Sequence, residues 1–195
     1  MKKSNFFALL SRMKLVHRWG LMRNTRTENL SEHSYETAVI AHCLGLFNNA
    51  QGGTVNAEHL AVLGLYHDCS EIITGDMPTP IKYLNNDLRH AYKQVESEAQ
   101  NLLLSTLPEE LMGRFSAAFP SPETDPYEKK LLKAADKLSA YLKCLEELRM
   151  GNMEFQDAAE KGLLDLRAMG LSEVDAFMNC FLDGYGLTLD RLKLT

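Results

Sequence analysis

Strand signals are nearly missing from this 195-residue chain. No stretch shows the apolar–polar alternation, rich in Val, Ile and Thr, that marks a half-buried strand. Also missing is any apolar run near the ~20 residues that span a bilayer, so no membrane role is expected. The opening MKKSNFFALLSR has only Phe6 to Leu10 between its lysines and Ser11-Arg12. That is too short for an export signal. There is no CxxC pair: Cys43, Cys69, Cys144 and Cys180 lie far apart. Four reduced thiols in a cytoplasmic protein are the expectation. A basic cluster is lacking too. The formal net charge is −5 with both signs interspersed, which argues against a nucleic-acid polymer as partner. An anionic ligand would have to be attracted by a local feature.

What the chain does have is helical patterning and enough apolar residues, 45%, to build a core without disulfides or structural metal. Apolar positions Phe6, Phe7, Leu9, Leu10 and Met13 predict a helix over 4–16. Asn29 or Ser31 can cap a helix running to about Asn48, with Glu32 in its first turn. After Gly52-Gly53, Asn56 caps a helix that carries Leu60, Leu63, Leu65 and the pair His67-Asp68, and Gly75 ends it. An amphipathic helix with a charged face follows over 86–106, and Pro108 opens a short helix through Phe119. Leu131, Ala135, Leu138, Leu142 and Leu145 then form one stripe, closed by Gly151. Two more helices, about 153–169 and 172–182, complete the chain. The expectation is an all-α single domain of about seven to nine helices over residues 1–195, with a helical core at about 4–150 and C-terminal helices at about 153–182.

The stretch LYHDCSEIITGDMPTP, residues 65–80, needs explaining. His67 and Asp68 end an apolar helix, where an unpaired carboxylate is costly to bury. On a continuous helix Glu71, at i+4 and i+3 from that pair, shares their side. Three polar groups at the end of a core helix need a common partner, and a divalent cation is the economical candidate. Asp136 interrupts LLKAADKLSAYL with Ala134 and Ala135 before it. It reads equally well as an exposed acid between Lys133 and Lys137. His33 could belong to an ordinary polar first turn. The remaining histidines form no metal pair: His33 and His42 point to opposite helix faces, and His59 and His67 lie about 12 Å apart along an axis.

Taken in order, His33, His67-Asp68 and Asp136 make the pattern H…HD…D, which resembles the HD-domain metal-dependent phosphohydrolases. The opening FFALLSRMKLVHRWGLMRNTRTENLSEHS, the block LYHDCSEIITGDMPTPIKY and the late KAADKLSAYLKCLEEL are together similar to the bacterial HD-domain 5′-deoxynucleotidases. That resemblance implies an HD-type helical bundle, usually homodimeric, that removes phosphate from deoxyribonucleoside 5′-monophosphates. It implies His33, His67, Asp68 and Asp136 as ligands of one divalent metal ion, for which Co, Mn, Zn, Ni and Cu all suit two imidazoles and two carboxylates. It puts Glu71 at the catalytic acidic position. It makes Arg18 and Trp19 substrate-binding, together with the turn Asp76, Met77, Pro78 and Thr79, and sets His33, Asp68 and Asp136 beside the substrate. Arg18 could grip a phosphate bidentately, and Trp19, the lone tryptophan, could wall the sugar or base.

Rival readings are other HD-type nucleotide phosphohydrolases and a non-catalytic nucleotide-sensing module. A bimetallic cyclic-nucleotide phosphodiesterase needs extra histidines between the HD pair and the last Asp, and only His90 lies there. A di- or triphosphate substrate would call for a basic cluster that is not apparent.

Overall fold

A capping box fixes where the first long helix begins. The Asn29 side chain accepts from the backbone N–H of Ser31 (2.9 Å) and Glu32 (3.1 Å), and the Glu32 carboxylate accepts from Asn29 N–H (3.1 Å). Two otherwise unpaired donors are satisfied reciprocally, and His33 is set on the first inward-facing turn. This structure is a computed structural model, and it describes residues 3–78, 81 and 84–192. Its α-helices are α1 Phe6–Leu10, α2 Leu30–Ala50, α3 Ala57–Tyr66, α4 Glu71–Thr74, α5 Asn86–Ser105, α6 Glu109–Ser116, α7 Pro126–Arg149, α8 Gln156–Ala168 and α9 Ser172–Phe181. Short 3-10 turns join several of them. No strand occurs among the described residues. None of their helices is long and apolar enough to cross a membrane.

Helices α2 and α3 form an antiparallel hairpin held close by small residues. A Cβ added to Gly64 would lie 2.6 Å from Ala38 Cα, and one added to Gly45 would lie 2.8 Å from Ala57 Cα. Each glycine faces the other helix's alanine, and the two contacts are seven residues apart on both helices, about two turns. Helix α7 lies across this hairpin. It starts at the Asp125 cap with Pro126 in its first turn, where a missing N–H costs nothing. Leu44, Leu60, Leu63, Leu131, Leu138, Leu142 and Phe155 form the centre of the main core. Each buried leucine stabilises the fold by about 1.5–3 kcal/mol. A second cluster, with Phe6, Met13, Leu30, Cys69, Leu103 and Phe119, joins the N-terminal segment to α5.

Two expectations need correction. The predicted helix over 4–16 is α1 followed by a 3-10 segment, Ser11–Leu15. The helix expected to run from Asn56 to Gly75 is broken: α3 ends at Tyr66, a turn covers 67–70, and α4 starts at Glu71. The His67 imidazole supplies the reason. Its Nδ1 donates to the carbonyl of Gly64 (2.8 Å), satisfying one of the carbonyls that a helix end leaves open. Cys69 N–H reaches back only three residues, to Tyr66 (3.2 Å). Glu71 therefore does not follow His67 on one helix face.

The sequence gives no hint of a small antiparallel bridge between His17 and Asn29. Arg18 N–H donates to Glu28 O (2.9 Å) and Leu30 N–H to Val16 O (3.0 Å). This bridge delivers Arg18 and Trp19 to the start of α2. The loop it closes is tied down from α7. Glu147, 1% exposed, accepts from Thr25 N–H (2.9 Å), Thr25 Oγ1 (2.7 Å), Arg26 N–H (3.2 Å) and Asn152 Nδ2 (2.8 Å). It also pairs with buried Lys143, which donates to the Arg26 carbonyl (2.5 Å). Burial alone would raise the Glu147 carboxyl, but these donors hold it well below the usual range.

Candidate active site

Four side chains from three places in the fold converge beside the α2–α3 hairpin. His33 comes from the first turn of α2, His67 and Asp68 from the turn after α3, and Asp136 from α7. His33 Nε2 lies 3.1 Å from Asp136 Oδ1 and 3.5 Å from Asp68 Oδ2. His67 Nε2 lies 3.0 Å from Asp68 Oδ2 but makes no hydrogen bond of acceptable geometry. Ligand atoms of His33, His67 and Asp68 fall within 4.8 Å of one another. Asp136 reaches them because Ala134 and Ala135, both fully buried, let α7 pack closely. Asp136 keeps a partly exposed side chain but turns its carboxylate to His33, and Lys137 turns away to Asp165 (2.7 Å).

Both imidazoles are held by the nitrogen that faces away from the ring. His67 Nδ1 is fixed by Gly64 O. His33 Nδ1 is 3.0 Å from Ser139 Oγ, and that hydroxyl donates its one proton to Glu36 Oε2 (3.2 Å). Ser139 must then accept from His33 Nδ1–H, and Nε2 faces Asp136 Oδ1. This carboxylate–hydroxyl–imidazole arrangement is how proteins fix the tautomer of a metal-ligating histidine. Glu36 and Ser139 escaped the sequence reading. They sit three residues after His33 and Asp136, one helix turn along the same faces, and that spacing is the signal that could have found them.

Charge in the ring follows from its crowding. Burial would lower the His67 pKa, but Asp68 and Asp136 push it up to about 9. Burial would raise both aspartates, yet the facing imidazoles hold Asp68 and Asp136 below the ordinary carboxylate range. Two imidazoles anchored through Nδ1, with Nε2 atoms that meet two depressed carboxylates, are the donor set a divalent ion of intermediate hardness takes.

Arg18 borders the ring, and Trp19 follows it in the chain. Arg18 Nη1 is 3.6 Å from Asp68 Oδ2. Burial would lower its pKa, but Glu28, Asp136, Asp68 and Asp76 raise it, so Asp76 is within electrostatic reach of the guanidinium. Trp19 packs on Phe155, ring centroids 5.3 Å apart. Its φ of 59° is the one positive φ on a non-glycine among the described residues, a strain of about 1–3 kcal/mol. Glu28, missed in the sequence, binds both neighbours. Its Oε2 accepts from Arg18 Nε (3.1 Å) and Trp19 Nε1 (2.8 Å). Glu71 is buried at the start of α4. Asp76, Met77 and Pro78 are half-buried just after Gly75, whose φ of 74° makes the turn. Thr79 lies outside the described residues.

Residues 5–185 match the family model described as 5′-deoxynucleotidase YfbR-like. The chain is 49% identical over 194 residues to the 5′-deoxynucleotidase YfbR of Escherichia coli O1:K1, covering 99% of this chain and 98% of that protein. Among solved structures, an HD-domain phosphohydrolase from Listeria innocua superposes with a TM-score of 0.80 at 24% identity, covering 93% of this chain and 88% of the other. The cyanophage S-2L HD phosphohydrolase DatZ, bound to dA and one catalytic Zn²⁺ ion, gives 0.59 at 20% identity, covering 96% and 99%. These two share the fold.

Proposed function

The chain belongs to the YfbR-like 5′-deoxynucleotidase family, and we propose that its reaction, removal of phosphate from a deoxyribonucleoside 5′-monophosphate, takes place at the ring of His33, His67, Asp68 and Asp136. The observation that carries this is the pair of imidazoles, each anchored through Nδ1, whose Nε2 atoms meet two carboxylates. A divalent metal held by these four residues would polarise a phosphoryl oxygen and lower the pKa of an attacking water. Zinc, cobalt, manganese, nickel and copper all suit the donors.

The rest of the chemistry belongs to the chain. Arg18 binds the phosphate through the terminal guanidinium nitrogens that face the ring. Glu71, buried three residues after Asp68, moves the proton between water and the leaving 5′-oxygen. Trp19 forms a flat wall for the sugar. Asp76 and the turn through Met77, Pro78 and Thr79 offer hydrogen bonds to the nucleoside. Lys137 is committed to Asp165, so the ring is suited to one phosphate group more than to a polyphosphate. The same reading takes residues 1–195 as one HD-type domain acting in the cytoplasm on small nucleotides, with no nucleic-acid polymer as partner. It takes the working form as a homodimer, supported by an exposed apolar cleft of about 550 Å³ lined by Phe177, Phe181, Tyr185, Leu187 and Leu192.

A panel of deoxyribonucleoside, ribonucleoside and polyphosphate substrates tests the reading. Phosphate should be released from the deoxyribonucleoside monophosphates first. Chelation should abolish the release and added metal restore it. Full activity after exhaustive chelation would overturn the metal assignment.

A further inference from the structure

We propose that Glu28 is a positioning residue of this reaction, holding the Arg18 guanidinium and the Trp19 indole in one register so that phosphate and sugar are read as a unit. The inference rests on the reading above, in which Arg18 takes the phosphate and Trp19 faces the sugar. One carboxylate oxygen, Oε2, accepts from both neighbours, at 3.1 and 2.8 Å. Glu28 is only 7% exposed, so these bonds sit where water competes poorly and charge-assisted contacts are strong. Its place on the Nε edge of Arg18 leaves the terminal nitrogens toward the ring, where Nη1 stands 3.6 Å from Asp68 Oδ2.

The backbone around Glu28 does not depend on its carboxylate. The bridge is made by main-chain bonds from Arg18 N–H to Glu28 O and from Leu30 N–H to Val16 O. The loop between them is anchored separately by Glu147 through Thr25 and Arg26. What the carboxylate adds is orientation of two side chains. One of them, Trp19, sits on a backbone that favours glycine, and it needs such a tether to keep its indole in place.

The lone tryptophan makes the test direct, because all tryptophan emission comes from Trp19. Glu28→Ala and Glu28→Gln are compared with wild type in emission maximum, acrylamide quenching, and KM and kcat for dAMP and AMP. Glu28→Ala should shift the emission to the red and raise quenching. It should raise KM for both substrates about tenfold to a hundredfold, with a smaller change in kcat, and narrow the dAMP-to-AMP preference. Glu28→Gln keeps an acceptor oxygen and loses the charge, so it should retain the wild-type emission and sugar preference while KM still rises. Unchanged emission, KM and preference in Glu28→Ala overturn the proposal. If the alanine variant does not fold, a glutamine variant with wild-type KM overturns it equally. A wild type that releases no phosphate from deoxyribonucleotides would instead remove the functional reading, and the emission comparison would still show whether Glu28 holds the indole.

Discussion

Protons compete with a metal for His67. Burial works against its charge, yet Asp68 and Asp136 hold its pKa up to about 9, and only the neutral imidazole can donate to a cation. Metal affinity should therefore rise by about tenfold per pH unit between pH 7 and 9 and level off above. Metal titrations across that range check this, and a flat profile would remove His67 from the ligand set. The metal-free protein should show the opposite trend in stability. A raised histidine contributes stability that is complete below its unfolded value of 6.5 and lost as pH climbs through about 9. The lowered aspartates contribute stability present above 3.8 and lost as pH falls below it. Thermal melts of the apo form should thus decline on the alkaline side, and added metal should reverse that decline. Glu71 is separable from the ligands. Glu71→Gln should lower kcat by about 10²–10⁴-fold while metal content stays stoichiometric, measured by elemental analysis; loss of metal would make Glu71 a ligand. The residues that converge at the ring were legible from the order H…HD…D, a pattern of restricted residue types. Glu28, Glu36 and Ser139 were not, because a carboxylate or hydroxyl that orients a neighbour looks in sequence like any polar surface group.

The α2–α3 hairpin sets the distance between the two imidazoles. Gly64 touches Ala38 one turn from the His33–His67 contact, where the rings are 5.2 Å apart. Gly45 touches Ala57 at the far end. An added methyl meets backbone in both places, so the helices must part, at a cost of about 1–3 kcal/mol. Gly64→Ala and Gly45→Ala should therefore lower the melting temperature similarly. Only Gly64→Ala should also weaken metal binding, by at least tenfold, as measured by metal titration of each variant. Equal metal affinity in the two would show that the ring does not depend on local helix spacing. Helix starts at Asn29 and Asn56 were readable, since a cap is a local hydrogen-bonding requirement. The break after Tyr66 was not. Weak helix formers such as His67, Asp68 and Ser70 also occur inside helices, and what marks the stop is one imidazole bonding a carbonyl behind it. The bridge between His17 and Asn29 was equally hidden, being a contact across a loop with no strand-like pattern on either side.

At the scale of the molecule the ring ties together segments 103 residues apart in sequence. A ligand that binds only this folded arrangement stabilises it by mass action, about 2.7 kcal/mol at a hundred times its dissociation constant. Metal should raise the melting temperature of the wild type. Asp136→Ala should stay folded, since it removes a crowded charge, and should lose the metal-dependent rise. Persistence of that rise would place the metal elsewhere. The all-α architecture was legible from absent alternation and repeated helical stripes, and the core of α7 followed its predicted stripe closely. How α7 meets α2 was not, because a tertiary register leaves no periodic mark on either helix.

The sharing of Arg18 between Glu28 and Asp68 imposes an order of events. Before any ligand arrives, the guanidinium is already neutralised by its neighbours, in a chain of net charge −5. A phosphate dianion approaching the bare ring meets carboxylates whose countercharge is spent. Exchange of the His67 proton for a divalent cation would add one unit of positive charge at that place and loosen the hold of Asp68 on Arg18. On the proposed reading nucleotide affinity should thus rise with prior cation loading, and reciprocity would require the nucleotide to tighten the cation by the same factor. The proposed site would then work as a coincidence detector: neither ligand alone would fill it, and each would be released more readily once the other had gone.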